Sequence, residues 1–333
     1  MTGLAATGPT TTGPGTPAVR IRVLMEPRHG ASYAEILALA LAVERAGFDA
    51  FFRSDHLFGV EPDDPLYRPT DSWTTLAGLA RDTERVRLGT LVTAATFRSP
   101  GLLAAIVSTV DEMSGGRAEL GIGTGWYERE HQAFGIPFQP LKERFDRLEE
   151  GLEVITGLWL AGQGQGFSFD GRYFQVADNR TPPRVTQHPH PPVIVGGAGA
   201  RRTPAIAARF ATEFNAALSG IEEATERFAR FDRACEAIGR DPASARHSGF
   251  IPVAIGTTQA EADRRAAIVA SPGIRQSMVI GTPALLTERI AGLADVGADT
   301  IYLHIYDIGD LDHIALIGAE VLPQVAGVQP VAS

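Results

Sequence analysis

Hydrophobic residues along this chain follow two alternating patterns: short continuous runs of strand length, and longer segments with apolar positions three or four residues apart. The runs predict eight strands, at residues 19–25, 48–53, 86–92, 118–122, 193–195, 212–216, 250–255 and 300–305. The helical spacing predicts nine helices, at residues 32–46, 72–83, 100–113, 141–160, 201–209, 222–238, 259–270, 283–296 and 311–325. This alternation is typical of parallel α/β folds, because each parallel strand needs a crossover before the next.

Eight such units predict a single (β/α)8 TIM barrel. The alternative is an open doubly wound sheet, which would carry a glycine fingerprint after its first strand, and none follows Met25. An insertion after the fourth helix, at about residues 161–192, interrupts the alternation. Its FSFDGRYF segment predicts a hairpin that turns at Asp170-Gly171, and its prolines indicate an irregular loop. Glycines in the insertion would allow it to act as a lid.

The two ends of the chain and its charge narrow the class of protein. Residues 1–17 are rich in Thr, Gly and Pro and predict a disordered tail, so the barrel is expected to span residues 18–330. The formal net charge of −9, without a basic stripe, argues against binding to nucleic acid or to an anionic membrane. No apolar run reaches the roughly 18 residues of a membrane span, and no signal peptide is predicted.

Two residue types that are used only once restrict the chemistry. Cys235 is the only cysteine and cannot form an intramolecular disulfide, which fits a reducing cytoplasm. Lys142 is the only lysine, so a Schiff-base mechanism is excluded unless this side chain is buried. The chain has no HExxH motif and no Cys/His cluster, and no metal site is predicted.

In a barrel of this kind the active site lies at the C-terminal ends of the strands. The predicted strand exits hold the candidate residues Glu26, Asp55, His56, 91–96, 123–128, 195–199, 215–219 and Asp307. Their mixture of apolar and polar groups suits a large planar ligand. His56 is the sharpest candidate, because an imidazole exchanges a proton near neutral pH. A purely structural role, in which His56 caps a helix or fills a loop, remains the alternative.

Two glycine-rich segments follow predicted strands. GIGTGW has Trp126 where the last glycine of a dinucleotide fingerprint would stand, so a structural turn and a ligand site explain it equally well. GGAGAR, residues 196–201, leads into a helix N-terminus, where free N–H groups and the helix dipole favour a phosphate. Arg201 or Arg202 could add positive charge there, although a solvated helix start is the simpler explanation.

Six collinear pieces of the chain resemble the luciferase-like monooxygenase superfamily, specifically its F420-dependent oxidoreductases. The resemblance covers residues 19–325. The pieces are AGFDAFFRSDHLF, SWTTLAGLARDTERVRLGTLVTAATFRSP, VDEMSGGRAELGIGTGWYEREHQAFGIPF, ERFDRLEEGLEVITGLW, PPVIVGGAG and ARFATEFN. The resemblance implies a barrel with a deazaflavin or flavin across its strand exits.

The resemblance also implies a set of cofactor-binding residues. Asp55 and His56 would contact the tricyclic ring, with His56 as the catalytic proton donor or acceptor. A bulge formed by Leu91, Val92 and Thr93 would support the ring, often through a cis peptide near Leu91-Val92. The remaining implied contacts are Gly123, Thr124, Gly125 and Trp126 beside the ring, and Val195, Gly196, Gly197 and Ala198 at the phosphate.

One departure from the superfamily bears on the substrate. F420-dependent glucose-6-phosphate dehydrogenases carry a Trp four residues after the histidine and a Glu after the GTG turn, whereas this chain has Val60 and Trp126. We therefore predict an apolar substrate in place of a sugar phosphate.

Three functions follow from these observations. The leading prediction is hydride transfer between C5 of coenzyme F420 and an organic substrate, with His56 carrying the proton. The second is an FMN-dependent two-component monooxygenase. The third is a non-catalytic flavin-binding barrel. The partners implied are a small-molecule substrate, a flavin or F420 reductase that supplies reduced cofactor, and a second copy in a homodimer.

Overall fold

Helices and strands alternate through the computed structural model, which describes residues 19–26, 31–58, 70–161, 166–218 and 220–330. The strands are β1 Arg20–Met25, β2 Ala50–Arg53, β3 Arg87–Thr90, β4 Thr93–Ala94, β5 Ala118–Gly123, β6 Phe167–Asp170, β7 Gln175–Asn179, β8 Val193–Gly196, β9 Glu213–Leu218, β10 Arg246–Ile255, β11 Val279–Gly281 and β12 Thr300–Ile305. The helices are α1 Tyr33–Ala46, α2 Ser72–Asp82, α3 Pro100–Met113, α4 Glu128–Ala133, α5 Leu141–Leu160, α6 Arg202–Phe210, α7 Ile221–Ala237, α8 Gln259–Ala266, α9 Pro272–Ser277, α10 Pro283–Ala294, α11 Leu311–Glu320 and α12 Leu322–Val325.

Eight of these strands form one closed parallel barrel, in the order β1, β2, β3, β5, β8, β9, β10 and β12. Pairing of β9 with β10 and of β12 with β1 completes the ring. The predicted (β/α)8 TIM barrel is therefore confirmed. Two short strands lie beside the ring: β4 pairs with β5, and β11 pairs with β10.

Local capping signals fix several helix ends. Ser32 and Glu35 form a capping box at the start of α1, which satisfies backbone N–H groups that have no partner within the helix. Gly47 ends the same helix in the left-handed conformation, with φ of 91°, where a side chain would be strained. Asp71 accepts a hydrogen bond from the Thr74 N–H at 2.7 Å and so begins α2.

The hydrophobic core has two parts. The larger lies between the strands and the surrounding helices. The smaller fills the barrel interior, where the rings of Phe52 and Tyr302 meet edge to face at 5.0 Å beside Leu24, Leu91 and Ile194. This inner plug forms the floor on which a cavity opens.

Three predicted elements differ most from the observed ones. The helix predicted at 259–270 ends at Ala266. Strand β10 begins at Arg246, four residues before the predicted start, because its first residues form no apolar run and are held by polar contacts, Arg246 with Glu213 inside the barrel and His247 with Asp232 of α7. The last predicted helix, 311–325, is interrupted at Val321, since Pro323 has no N–H to continue the hydrogen-bond ladder. The short elements β4, α4, α9 and β11 span six residues or fewer, too few to show a periodicity.

The predicted insertion contains an antiparallel hairpin of β6 and β7. Glu150 of α5 accepts hydrogen bonds from the three backbone N–H groups of residues 172–174, at 2.8 to 3.2 Å. Further along, Gln187 donates to the carbonyl of Ala118 at the start of β5, which is the end of the barrel opposite the strand exits. The described part of the insertion is therefore attached away from the strand exits, which gives no support to a lid.

The predicted tail, residues 1–17, lies outside the described residues. Within the described ranges, no helix combines the length and the apolar composition needed to cross a lipid bilayer.

Candidate active site

A cavity of about 440 Å³ opens at the C-terminal ends of the barrel strands. Eleven of the thirteen residues in the predicted cofactor-binding set line it: Asp55, His56, Leu91, Val92, Gly123, Thr124, Gly125, Trp126, Gly196, Gly197 and Ala198. The other lining residues are Leu24, Glu26, Ser54, Ala94, Glu130, Asn215, Ala217, Phe250 and His304. Residues from six separate strand exits are thus brought to one concave site, the arrangement that a TIM barrel uses for binding and catalysis.

Thr93 and Val195, the two remaining members of the predicted set, do not reach this cavity. Thr93 is fully buried and accepts a hydrogen bond from the Trp73 indole at 3.0 Å, and it donates to Thr90 at 3.1 Å. Val195 is fully buried in the core between the strands and the helices. Their side chains therefore lie behind the cavity wall.

The cavity floor is a bulge between β3 and β4. The peptide bond between Leu91 and Val92 is cis, at the position that the resemblance implies. Glycines on the neighbouring strands give the bulge room: a Cβ on Gly121 would lie 1.9 Å from the Thr90 carbonyl oxygen. A Cβ on either Gly123 or Gly196 would lie 3.1 Å from a methyl group of Val92. Val92 therefore presents a small apolar surface bounded by bare backbone.

His56 is held by a buried carboxylate. Its Nδ1 lies 3.2 Å from both oxygens of Glu130, and the Leu57 N–H donates to the same carboxylate at 3.1 Å. Burial lowers the pKa of His56, but the hydrogen bond with Glu130 and the charges of Glu26, Glu130 and Asp55 outweigh this, so that its pKa is raised. The pair fixes the ring so that Nε2 is the nitrogen turned away from Glu130.

Asp55 forms an ion pair with Arg98, not a hydrogen bond with its neighbour His56. Arg98 donates to both oxygens of Asp55, at 2.6 and 3.3 Å, and also to Asp71 at the start of α2. This bidentate contact orients the Asp55 carboxylate at the cavity wall. Its charge still acts on His56 through space.

Aromatic rings form the mouth of the cavity. Trp126 is 62% exposed, stacks on Tyr127 at 5.1 Å and meets the His56 ring edge to face at 5.7 Å. The turn that presents them has Gly125 at φ of 74°, and a Cβ there would lie 2.9 Å from Thr96 Oγ1. The rings create an apolar, solvent-facing wall next to the imidazole.

The glycine segment after β8 lines the opposite side. Gly196, Gly197 and Ala198 border the cavity ahead of α6. Arg202 does not face them, because it pairs with Asp146 at 2.6 Å and Glu149 at 3.4 Å on α5. Backbone N–H groups and the helix dipole would hold an anion bound here, and the exposed Arg201, at the start of α6, is the arginine that could add charge.

Sequence reasoning missed two lining residues with strong chemistry. Glu130 lies in α4, whose six residues are too few for a pattern. His304 lies two residues after Tyr302 on β12, so both side chains face the barrel interior. This alternation is visible in the sequence and could have identified His304. A shallower groove on the outer surface, between α7 and α10, lies away from all of these groups.

The protein-family model for luciferase-like monooxygenases matches residues 16–276. The chain belongs to the luciferase-like monooxygenase family. An F420-dependent glucose-6-phosphate dehydrogenase of Microbacterium testaceum is 35% identical over 51% of this chain and 48% of its own length. An FMNH(2)-dependent dimethylsulfone monooxygenase of Pseudomonas putida is 30% identical over 48% of this chain and 42% of its own length. The chain thus spans about half the length of these curated relatives.

A solved structure confirms the architecture. An F420-dependent secondary alcohol dehydrogenase, solved with an F420-acetone adduct, superposes with a TM-score of 0.77. The match covers 92% of this chain and 99% of that one at 17% sequence identity. At this identity the likeness shows the fold.

Proposed function

We propose that this protein is an F420-dependent oxidoreductase that transfers a hydride between C5 of coenzyme F420 and an organic, apolar substrate. The observation that carries the proposal is the buried His56–Glu130 pair, which lines the cavity beside the glycine-bounded bulge at Leu91 and Val92. An imidazole with a raised pKa can hold a proton next to a reacting group, and the bulge offers a flat apolar support for a ring. The F420-dependent relative favours this cofactor.

The cavity fits a large ring system. Five buried side-chain atoms of the described residues lack a hydrogen-bond partner, and two of them, Ser54 Oγ and His304 Nε2, belong to residues that line it. Missing Cβ atoms at Gly123 and Gly196 leave backbone exposed to a ligand. In the proposed complex Leu91 and Val92 would support the ring, with Thr93 buried behind them in the wall. Its other contacts would be Asp55, His56, Gly123, Thr124, Gly125 and Trp126, with Gly196, Gly197 and Ala198 at the phosphate and Val195 buried behind them.

The bound cofactor would accept or supply the hydride at C5. His56 would handle the accompanying proton at Nε2, because Nδ1 is engaged by Glu130. In the direction of reduction, the proton passes from Nε2 to the substrate oxygen as the hydride reaches carbon; in the opposite direction Nε2 takes it back. Glu130 stabilises the imidazolium form, and the strand exits align the two reactants.

An apolar substrate is supported by the mouth of the cavity. Trp126 and Tyr127 present stacked rings there, and no lysine other than Lys142 exists to bind a sugar phosphate. Val60, the other apolar position noted in the sequence, lies outside the described residues. Replacing Trp126 with Glu is expected to weaken binding of apolar ligands, since a charge would replace an aromatic surface.

The second candidate is an FMN-dependent monooxygenase that receives reduced flavin from a partner reductase. The FMNH(2)-dependent relative favours it, since this barrel type serves both cofactors. A non-catalytic flavin-binding barrel is a third candidate. The two enzymes and the binding protein differ in which cofactor they bind and in whether they turn over.

The test is a fluorescence titration of the purified protein with F420 and, separately, with FMN, each oxidised and reduced. Tight binding of F420 with weak binding of FMN is the expected result. Tight binding of reduced FMN alone would replace the proposal with the monooxygenase. The variant His56→Asn separates an enzyme from a binding protein: it should retain cofactor binding and lose turnover by roughly 100- to 10,000-fold, the usual contribution of a general acid or base.

A further inference from the structure

His304 is a buried side chain with one unused hydrogen-bonding atom. It is the fifth residue of β12, is only 6% exposed and lines the cavity that also contains His56. Its Nε2 has no hydrogen bond to any described residue. The nearest described acid, Glu26 at the exit of β1, has its Oε2 3.5 Å from this nitrogen, an ionic contact without hydrogen-bond geometry.

The ring of His304 is held in one orientation. The Tyr306 hydroxyl lies 3.0 Å from Nδ1, and the rings of Tyr306 and Phe250 flank the imidazole at 4.2 and 5.7 Å. With the Tyr306 hydroxyl as donor to Nδ1, the neutral ring carries its hydrogen on Nε2. The carboxylate of Glu26 favours the same tautomer, and a protonated ring has that hydrogen as well. Nε2 is therefore an N–H donor in the cavity wall.

A buried donor without a partner destabilises a fold, so its retention in a binding cavity points to a partner that arrives with the ligand. We propose that His304 is a ligand-binding residue whose Nε2–H donates to an uncharged oxygen, a carbonyl or hydroxyl group, of the molecule bound in this cavity. The Glu26 carboxylate already lies 3.5 Å from Nε2, so an uncharged oxygen fits this point better than a second carboxylate or a phosphate. The inference rests on the proposed function, because the bound molecule is the cofactor or substrate of that site.

Two sources can supply this oxygen: a carbonyl of the cofactor ring or the oxygen of the substrate. They are distinguished with the variant His304→Phe, which keeps the ring shape and removes the donor. If the oxygen belongs to the cofactor, the variant binds F420 or FMN about tenfold more weakly, the size expected for one lost hydrogen bond in a closed site. If it belongs to the substrate, cofactor binding is unchanged.

The substrate arm uses a pair of probes that differ by one oxygen, cyclohexanone and cyclohexane. Their binding to the protein, with and without cofactor, is measured by ligand-observed NMR. The wild type should prefer cyclohexanone, and His304→Phe should lose that preference. His304→Gln, whose amide N–H can replace the imidazole donor, should restore part of it. This second variant also covers the case in which the phenylalanine variant does not fold.

His247→Phe is the matched control. His247 is also buried, but its Nε2 is paired with Asp232 at 2.9 Å outside the cavity. We expect His247→Phe to lower the urea midpoint and leave ligand binding unchanged, whereas His304→Phe should leave the midpoint unchanged or raise it and weaken binding.

The inference is overturned if His304→Phe keeps both the cofactor affinity and the preference for cyclohexanone of the wild type. It is also overturned if the wild type binds cofactor without preferring cyclohexanone and His304→Phe binds cofactor equally well. A wild type that binds neither cofactor yet prefers cyclohexanone through His304 overturns the proposed function alone. A wild type with no cofactor binding and no such preference contradicts both.

Discussion

The two ends of the barrel interior differ in how completely their buried polar atoms are hydrogen-bonded. At the N-terminal ends of the strands lies a group of charged and polar side chains, here called the lower layer: Arg22, Asp49, Arg87, Glu119, Glu213, Arg246 and Tyr302. Three arginines face three carboxylates there. At the C-terminal ends, Ser54 Oγ and His304 Nε2 in the cavity wall have no hydrogen-bond partner among the described residues.

In the lower layer, contacts within the protein satisfy the charges. Arg22 donates to Asp49 at 2.6 Å, to Glu119 at 2.8 Å and to the Tyr302 hydroxyl at 2.9 Å. Burial raises the pKa of Glu119, but the charges of Arg22 and Arg87 outweigh it and lower that pKa to about 2. A network this complete can hold the strands together but has no capacity for a ligand.

The contrast separates the end of the barrel that stabilises the fold from the end that can bind a ligand. The same eight strands begin in a network that, among the described residues, leaves only Arg20 Nη1 without a hydrogen-bond partner, and they end in a site where Ser54 Oγ and His304 Nε2 both lack one. In a TIM barrel the first arrangement is typical of the stabilising face and the second of the functional face. The comparison can be tested with one substitution in the lower layer, one in the middle of the barrel and one at the cavity.

The largest effect is expected for Glu119→Ala in the lower layer. The change removes the buried carboxylate that Arg22 and Arg87 share, so that Arg22 keeps Asp49 while Arg87 loses its described acidic partner. Breaking a buried pair of this kind typically destabilises a protein by about 3 to 5 kcal/mol. The free energy of unfolding, measured by urea titration, should fall by that amount. Cofactor affinity of the folded protein should not change, and a large loss of affinity at full folding would show that the two ends are coupled.

A smaller effect is expected for Gly121→Ala, midway between the two ends. The added methyl group would lie 1.9 Å from the Thr90 carbonyl, so the backbone of the bulge must move. Overpacking of this kind costs about 3 kcal/mol, and the displaced bulge should also weaken cofactor binding. Both losses are expected together, by urea titration and cofactor fluorescence.

Gly249→Ala is the control for that substitution. Gly249 also lies in a barrel strand, but a Cβ there meets no atom within 4 Å. It should be neutral or stabilise by up to about 1 kcal/mol, because alanine restricts the unfolded chain. If both variants behave alike, crowding at the bulge is not what requires glycine at position 121.

The sequence predicts most helices and strands of the barrel well, but it does not predict the contacts of the lower layer. Helices Pro100–Met113 and Leu141–Leu160 and strand Thr300–Ile305 are predicted to the residue, because their apolar periodicity and flanking residues agree. The start of β10 is not predicted, since residues 246–249 contain three polar residues and a glycine and have no strand pattern. Arg246 and Ser248 find partners on β9, more than 30 residues earlier, which no local pattern reveals.

The same limit divides the candidate site. His56 and the glycine segments could be predicted because each directly follows a strand, and eleven of the thirteen predicted cofactor-binding residues line the cavity. Glu130 could not, since its partner His56 is 74 residues away and its helix is too short to orient from sequence. Thr93 and Val195 were assigned to the site by resemblance, whereas the side-chain direction that buries them depends on the bulge and the strand pleat.

Glu130→Gln, at the cavity, is expected to have the smallest effect on stability and the largest effect on the pH dependence of turnover. Without the carboxylate, His56 loses the hydrogen bond and the charge of Glu130 that raise its pKa against burial, so its pKa falls. The pH limb of turnover that reports His56 should therefore move to lower pH, in either direction of hydride transfer. For reduction, this should slow the rate about tenfold at a fixed pH on the limb, about 1.4 kcal/mol in barrier height. Glu128→Gln, on the exposed part of the same helix, is the control and should leave the limb in place.

The difference in unfolding free energy between the wild type and Glu130→Gln should also depend on pH. A raised folded-state pKa means that the His56–Glu130 pair stabilises the wild type fully below the unfolded value of about 6.5, and that this contribution is lost as pH rises through the folded pKa. The difference in unfolding free energy between the wild type and Glu130→Gln should therefore be larger at pH 6 than at pH 9. A difference that does not depend on pH, with an unmoved activity limb, would mean that Glu130 only packs against the ring and does not set its charge.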